Sequence, residues 1–246
     1  MWRLKLEEQI DYARSRLKNE KRILVILDDV WEKLNLEAVG IPFGDDHKGC
    51  KIVLTTRCQE VCHKMGIQTK AIPLNVLSKD DSWNLFRKYA GQGVDSPPLN
   101  VVAREVAKHC GGLPLALVTV GSALGGEDLQ EWKKAALKLK EFKPTDNEDV
   151  DQDVFSCLKL SYNYVKGEET KSCFLLCCLF PEDHDIDIEV MARYGMGQGL
   201  FQYVETMEEA RCRAHTAIKN LKASCLLSML FVALPFSLLP RIRVCG

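Results

Sequence analysis

The 246 residues are 46% hydrophobic and 27% charged, an ordinary globular composition, long enough for one large domain or two to three small ones. A net charge of -1 offers no basic surplus that would make nucleic acid the default partner. The 11 cysteines, an odd number, follow an opening stretch without an apolar leader-like run, which points to the reducing cytosol rather than to a disulfide framework.

Leu4, Leu6, Ile10, Ala13 and Leu17 recur at helical spacing and predict an amphipathic first helix. Ile23 to Trp31 then reads Ile-Leu-Val-Ile-Leu-Asp-Asp-Val-Trp, an unbroken apolar run ending in two adjacent carboxylates. Such a run predicts a strand buried on both faces of a parallel sheet, with the acids at its carboxyl end. In open α/β sheets that edge binds ligands, and an acidic pair there suits Mg²⁺ on a nucleotide's phosphates and an oriented water. Cys50-Lys-Ile-Val-Leu-Thr-Thr-Arg57 is a second buried strand with a polar end, and Lys70-Ala-Ile-Pro-Leu74 a short third one.

From Ser78 the period becomes helical. Ser78 and Asp81 form a capping-box-like start, and Trp83, Phe86 and Ala90 line one face with Leu85 and Tyr89 beside it. Val102, Val106 and Cys110 carry a second helix, which Gly111-Gly112 stops, and Pro114 opens a third where its missing N–H costs nothing. Lys140 to Asp153 is charged and reads as a linker. Helical patterns return at Val154–Leu158, Lys171–Phe180, Ile188–Tyr194 and Thr206–Leu221, where Thr206 and Glu209 make another capping box. Cys173, Cys177 and Cys178 lie among Phe174, Leu175, Leu176 and Leu179 as small buried hydrophobes rather than metal ligands, and no CxxC pair marks a zinc site. Cys225 to Pro240 is apolar but shorter than the roughly 20 residues of a membrane span and is broken by Pro235.

Taken together, these segments resemble the NB-ARC nucleotide-binding switch of plant intracellular disease-resistance receptors. Leu24-Val-Ile-Leu-Asp-Asp-Val-Trp31 is similar to its kinase-2 (Walker B) motif, and Lys51-Ile-Val-Leu-Thr-Thr-Arg57 to the next strand with its sensor arginine. Gly112-Leu-Pro-Leu-Ala116 resembles the GLPLA motif, and Cys177-Cys-Leu-Phe-Pro-Glu-Asp183 the motif of the winged-helix region. Trp31 after the acidic pair is the mark of the coiled-coil class rather than of the class with a Toll-like N-terminal domain.

The resemblance implies an α/β plus all-α architecture: an incomplete P-loop-NTPase-like parallel sheet over residues 1–74, a helical ARC1 domain over 75–145, a winged-helix-like ARC2 domain over 146–228 and a divergent apolar tail over 229–246. It implies ADP or ATP with Mg²⁺ as cofactors and a slow ATPase switch in plant innate immunity as the activity. Carried over, Asp28 would bind Mg²⁺ directly or through water, Asp29 would orient or activate the hydrolytic water, and Arg57 would sense the γ-phosphate. Pro114 would pack on the adenine, with Gly112, Leu113 and Leu115 shaping the turn. The partners implied are nucleotide, other receptors of the family or guarded host proteins. No nucleic acid and no transmembrane span are expected, and the expected setting is the cytoplasm. The winged-helix likeness does not carry DNA binding with it, because residues 160–222 show no strong basic stripe.

The family places a Gly-x-x-x-x-Gly-Lys-Ser/Thr loop well upstream of kinase-2. Only 22 residues precede Ile23 here, and the pattern occurs nowhere in the chain. Without it there is no backbone cradle and no Lys for the phosphates. The strand that goes with that loop is expected in the middle of the sheet between the two strands that remain, which would leave their edges unpaired. The family's Met-His-Asp motif is likewise not found after Leu227; His184-Asp185 belongs to the preceding motif. No leucine-rich repeats occur. The sequence thus resembles an internal fragment with weak or absent nucleotide binding. The alternative is a non-catalytic interaction fragment that binds and modulates intact receptors.

Overall fold

A computed structural model describes residues 2–67, 71–141, 150–180, 186–227 and 241–245, and the chain divides into two compact units, residues 1–73 with 236–246 and residues 74–235. In the first unit, helix α1 (Trp2–Asn19) leads into β1 (Ile23–Asp28). Strand β2 (Cys50–Leu54) runs parallel beside it, in register from Ile23 opposite Cys50 to Leu27 opposite Leu54. Helix α2 (Gln59–Lys64) follows after Arg57. Strand β3 (Arg241–Cys245) lies antiparallel on the other side of β1, giving the order β2-β1-β3.

The sheet corrects two expectations. No strand separates β1 from β2; they bond directly to each other, and each satisfies the other's backbone groups along five register pairs. The second edge of β1 is taken by β3, within the stretch assigned to the tail. The third predicted strand is also absent: Ala71 to Leu74 has no strand pairing, and Ile72 and Leu74 stand exposed. Pro73 explains this, since it has no N–H to give to a ladder. Lys70 lies outside the described residues.

Nor is β1 covered evenly. Ile23, Val25 and Leu27 are buried with Val30, Ile41 and Val61, and Leu17 of α1 packs on them. On the opposite face Leu24 is more than one-third exposed and Ile26 is only partly buried, while Val53 of β2 is half exposed. The unbroken apolar run therefore hides an in/out alternation that appears once only one face is packed.

The second unit is helical, with α3 (Lys79–Ala90), α4 (Pro97–His109), α5 (Pro114–Leu124), α6 (Leu129–Glu141), α7 (Val150–Asn163), α8 (Glu168–Cys177), α9 (Ile188–Gly197) and α10 (Met207–Ala223). The predicted caps form: Asp81 N–H donates to Ser78 Oγ at 3.1 Å, and Thr206 and Glu209 close a complete capping box on α10. Phe86 meets Trp132 edge to face, with ring centroids 5.9 Å apart, in a core shared by α3, α4, α5 and α6. A second core gathers Cys173, Leu176, Cys177, Met191, Ala214 and Leu221 from α8, α9 and α10. The cysteines there behave as the sequence predicts: burial pushes the Cys173 thiol up to about 11 and the Cys177 thiol up to about 12. Residues 142–149 of the predicted linker, 181–185 around the Phe-Pro-Glu-Asp end of the last motif, and 228–240 of the apolar tail lie outside the described residues. Among the described residues no helix is long and apolar enough to cross a membrane.

Candidate functional site

The carboxyl ends of β1 and β2 converge on Thr55, the residue after β2. Its N–H donates to the Leu27 carbonyl at 2.9 Å and its carbonyl accepts from the Val30 N–H at 2.9 Å, so the parallel pairing continues one step past both strands. This places the Thr55 hydroxyl between the two acids. It donates to Asp28 Oδ1 at 2.5 Å and accepts from the Asp29 N–H at 2.9 Å. Asp29 itself sits at φ +54, a left-handed conformation that Asp tolerates better than most residues, and this turns the chain sharply off the strand.

Two more side chains close on Asp29. The Trp31 indole N–H donates to its Oδ2 at 3.0 Å, and Arg57 Nε stands 3.5 Å from its Oδ1. The Arg57 guanidinium also lies over the Trp31 ring, 5.4 Å from its centroid. Arg57 reaches this position because Thr56 makes a short turn, with the Cys58 N–H donating to Thr56 Oγ1 at 3.0 Å, before α2 begins. Asp28, Asp29 and Arg57, named from the sequence, are thus brought into one cluster, joined by Thr55 and by Trp31, which the sequence marks only as a sign of class. The register that sets Leu54 opposite Leu27 carries the signal for Thr55, since the next residue must face Asp28.

The cluster combines two hard oxygen-donor groups with one guanidinium. Among the described residues no group of three or more His, Cys, Asp or Glu could by itself hold a metal ion. Beside the cluster a solvent-open cleft of about 370 Å³ is lined by Trp31, Glu32, Lys33, Cys58, Glu60, Val61 and Lys64. Lys64 pairs with Glu60 at 2.9 Å and holds that carboxyl below its usual range.

The Gly112 to Leu115 turn belongs to the second unit. Gly112 has φ +74, and a Cβ there would lie 2.8 Å from the Leu77 carbonyl oxygen. That close approach serves a bond: the Leu77 N–H donates to the Gly112 carbonyl at 2.9 Å, tying the segment before α3 to the turn before α5. Leu113 is the N-cap residue of α5, Pro114 is its exposed first residue, and Leu113 and Leu115 pack inward against the two helical cores.

Residues 5–96 match the family described as the NB-ARC domain. Among curated proteins of Arabidopsis thaliana, disease resistance protein At4g27190 is 36% identical over 234 residues, covering 92% of this chain and 24% of that protein. Disease resistance protein RPS5 is 34% identical over 229 residues, 92% of this chain and 26% of that protein. Disease resistance protein UNI is 36% identical over 231 residues, 93% and 26% respectively. The chain thus spans about a quarter of the length of these relatives.

Proposed function

The chain belongs to the NB-ARC family and is homologous to plant disease resistance proteins over most of its length, and on that premise we propose that it carries the hydrolytic side of an ADP/ATP-controlled switch acting in plant defence. The observation that supports this best is the cluster at the ends of β1 and β2, where Thr55 holds Asp28 and Asp29 and Arg57 pairs with Asp29. A bound nucleotide with Mg²⁺ would supply the phosphoryl group to be transferred to water. Asp28, its carboxylate oriented by the Thr55 hydroxyl, would hold the cation. Asp29 would accept a hydrogen bond from the attacking water, and the Arg57 fork would bind the terminal phosphate. By the family resemblance Pro114 would pack on an adenine, with Gly112, Leu113 and Leu115 shaping its turn.

No Gly-x-x-x-x-Gly-Lys-Ser/Thr pattern occurs within these 246 residues, and a nucleotide bound to them alone would lack the backbone donors that such a loop supplies. Binding should be weak, with a dissociation constant on the order of 1 mM, or about -4 kcal/mol. Titration of the purified chain with fluorescent ADP, with and without Mg²⁺, tests this. Weak Mg²⁺-dependent binding that Asp28→Asn removes is expected; no binding, or binding indifferent to Asp28, counts against the reading.

A second reading, an interaction role toward intact receptors of the family, is favoured by the open face of the sheet at Leu24, Ile26 and Val53. Co-precipitation with a full-length relative that survives Asp28→Ala but is lost with Val53→Lys would support it, and loss on Asp28→Ala alone would not.

A further inference from the structure

Trp31 is a large aromatic that the core does not claim. It is 41% exposed and lies outside the apolar cluster that takes its neighbour Val30. What it touches is polar. Its indole N–H donates to Asp29 Oδ2 at 3.0 Å, and its ring face receives the Arg57 guanidinium at 5.4 Å. Arg57 in turn reaches Asp29 Oδ1 at 3.5 Å. Three side chains therefore close a triangle in which one oxygen of Asp29 belongs to Trp31 and the other to Arg57.

We propose that Trp31 is a positioning residue that fixes the Asp29 carboxylate through its indole N–H and seats Arg57 against the same carboxylate, making an Asp29–Trp31–Arg57 latch. The two halves differ in strength by design of the geometry. The indole bond, at 3.0 Å, is of ordinary hydrogen-bond length and made to a charged acceptor. The Arg57 contact is long, and the side chain is 54% exposed, so solvent screens it. An anion offered to Arg57 therefore draws the guanidinium away first, which leaves Asp29 Oδ1 open to water while Trp31 keeps Oδ2 and the orientation of the carboxylate. Resting on the reading of Asp29 as the water-orienting group, this makes Trp31 the part that ties phosphate sensing at Arg57 to the readiness of Asp29.

Proton–nitrogen correlation spectra of the full chain read the latch directly, because each of the four tryptophans gives one indole signal. Trp31→Phe keeps a ring for Arg57 and deletes one signal, which assigns it. The assigned signal is expected to move to the position of a free indole in Asp29→Asn, to move less in Arg57→Gln, and to stay in place in Glu60→Gln. An unchanged Trp31 signal in Asp29→Asn overturns the proposal, and unchanged backbone peaks of β1 and β2 show that the first unit keeps its fold in the variants. Millimolar ATP with Mg²⁺ forms a separate arm. A signal that answers to Asp29 but not to nucleotide upholds the latch and counts against the nucleotide reading. A signal that answers to neither removes the latch itself.

Discussion

The strand ends of the first unit and the helical unit are stabilised in opposite ways. Around Phe86 and Trp132 the helices bury whole side chains, both rings being at most 1% exposed, and the contacts are apolar and many. At Thr55, Asp28, Asp29, Trp31 and Arg57 the contacts are few, directed and open to water. A packed core resists change because removed volume leaves a cavity. A screened polar cluster gives up little stability when altered, and can rearrange when an ion or phosphate arrives. The difference separates residues that hold the fold from residues whose replacement should leave it standing.

Trp132→Ala should break the comparison hardest, costing the helical unit about 3–5 kcal/mol by emptying its largest buried site. Urea unfolding followed by far-UV circular dichroism measures it, and a loss comparable to that of a surface substitution would show that the ring is not central to the core. Gly112→Ala should cost about 1–3 kcal/mol, because φ +74 is unfavourable for a residue with a Cβ and that Cβ would meet the Leu77 carbonyl oxygen. Thermal unfolding of the variant gives the value.

Alkaline pH should act on the helical unit as a graded effect. Folding raises the Cys173 thiol from 9.0 to about 11, the Cys177 thiol from 9.0 to about 12 and the Tyr164 hydroxyl from 10.0 to about 12. Burial leads in each case, and Glu131 adds to the shift at Tyr164. Above pH 9 the unfolded chain releases protons that the folded chain retains, so stability is full below pH 9 and falls progressively toward pH 12. Denaturation midpoints measured across that window should drop, and less steeply in Cys177→Ala. Arg57→Ala should be the mildest change, within about 1 kcal/mol on stability, since its ion pair is half exposed. Its effect should appear in nucleotide preference instead, with discrimination of ATP from ADP reduced.

The helical unit was readable where local rules decide. Ser78 with Asp81, Thr206 with Glu209, and Gly111-Gly112 before Pro114 mark helix boundaries through contacts a few residues apart, and these all form as expected. Helix α6 carries an equally local signal, in Trp132, Ala135, Ala136 and Leu139 at helical spacing behind an Asp128 that caps the Gln130 and Glu131 N–H groups. The sheet was less legible, because strand order and edge pairing depend on residues far apart in the chain. Nothing in Arg241-Ile-Arg-Val-Cys245 announces that it will pair with Leu24 to Asp28. At the site, the acids and Arg57 could be named from motif likeness and Trp31 as a class mark, but the contacts of Thr55 and Trp31 with the acids appear only once the fold brings the two strand ends level.

Isothermal titration of the full chain with ATP in the presence and absence of Mg²⁺, repeated for Asp28→Asn, tests the central claim most directly. The account predicts weak heat of binding that requires Mg²⁺ and disappears with Asp28. Binding that persists unchanged without Mg²⁺ and without Asp28, or no binding at millimolar ATP, would contradict it.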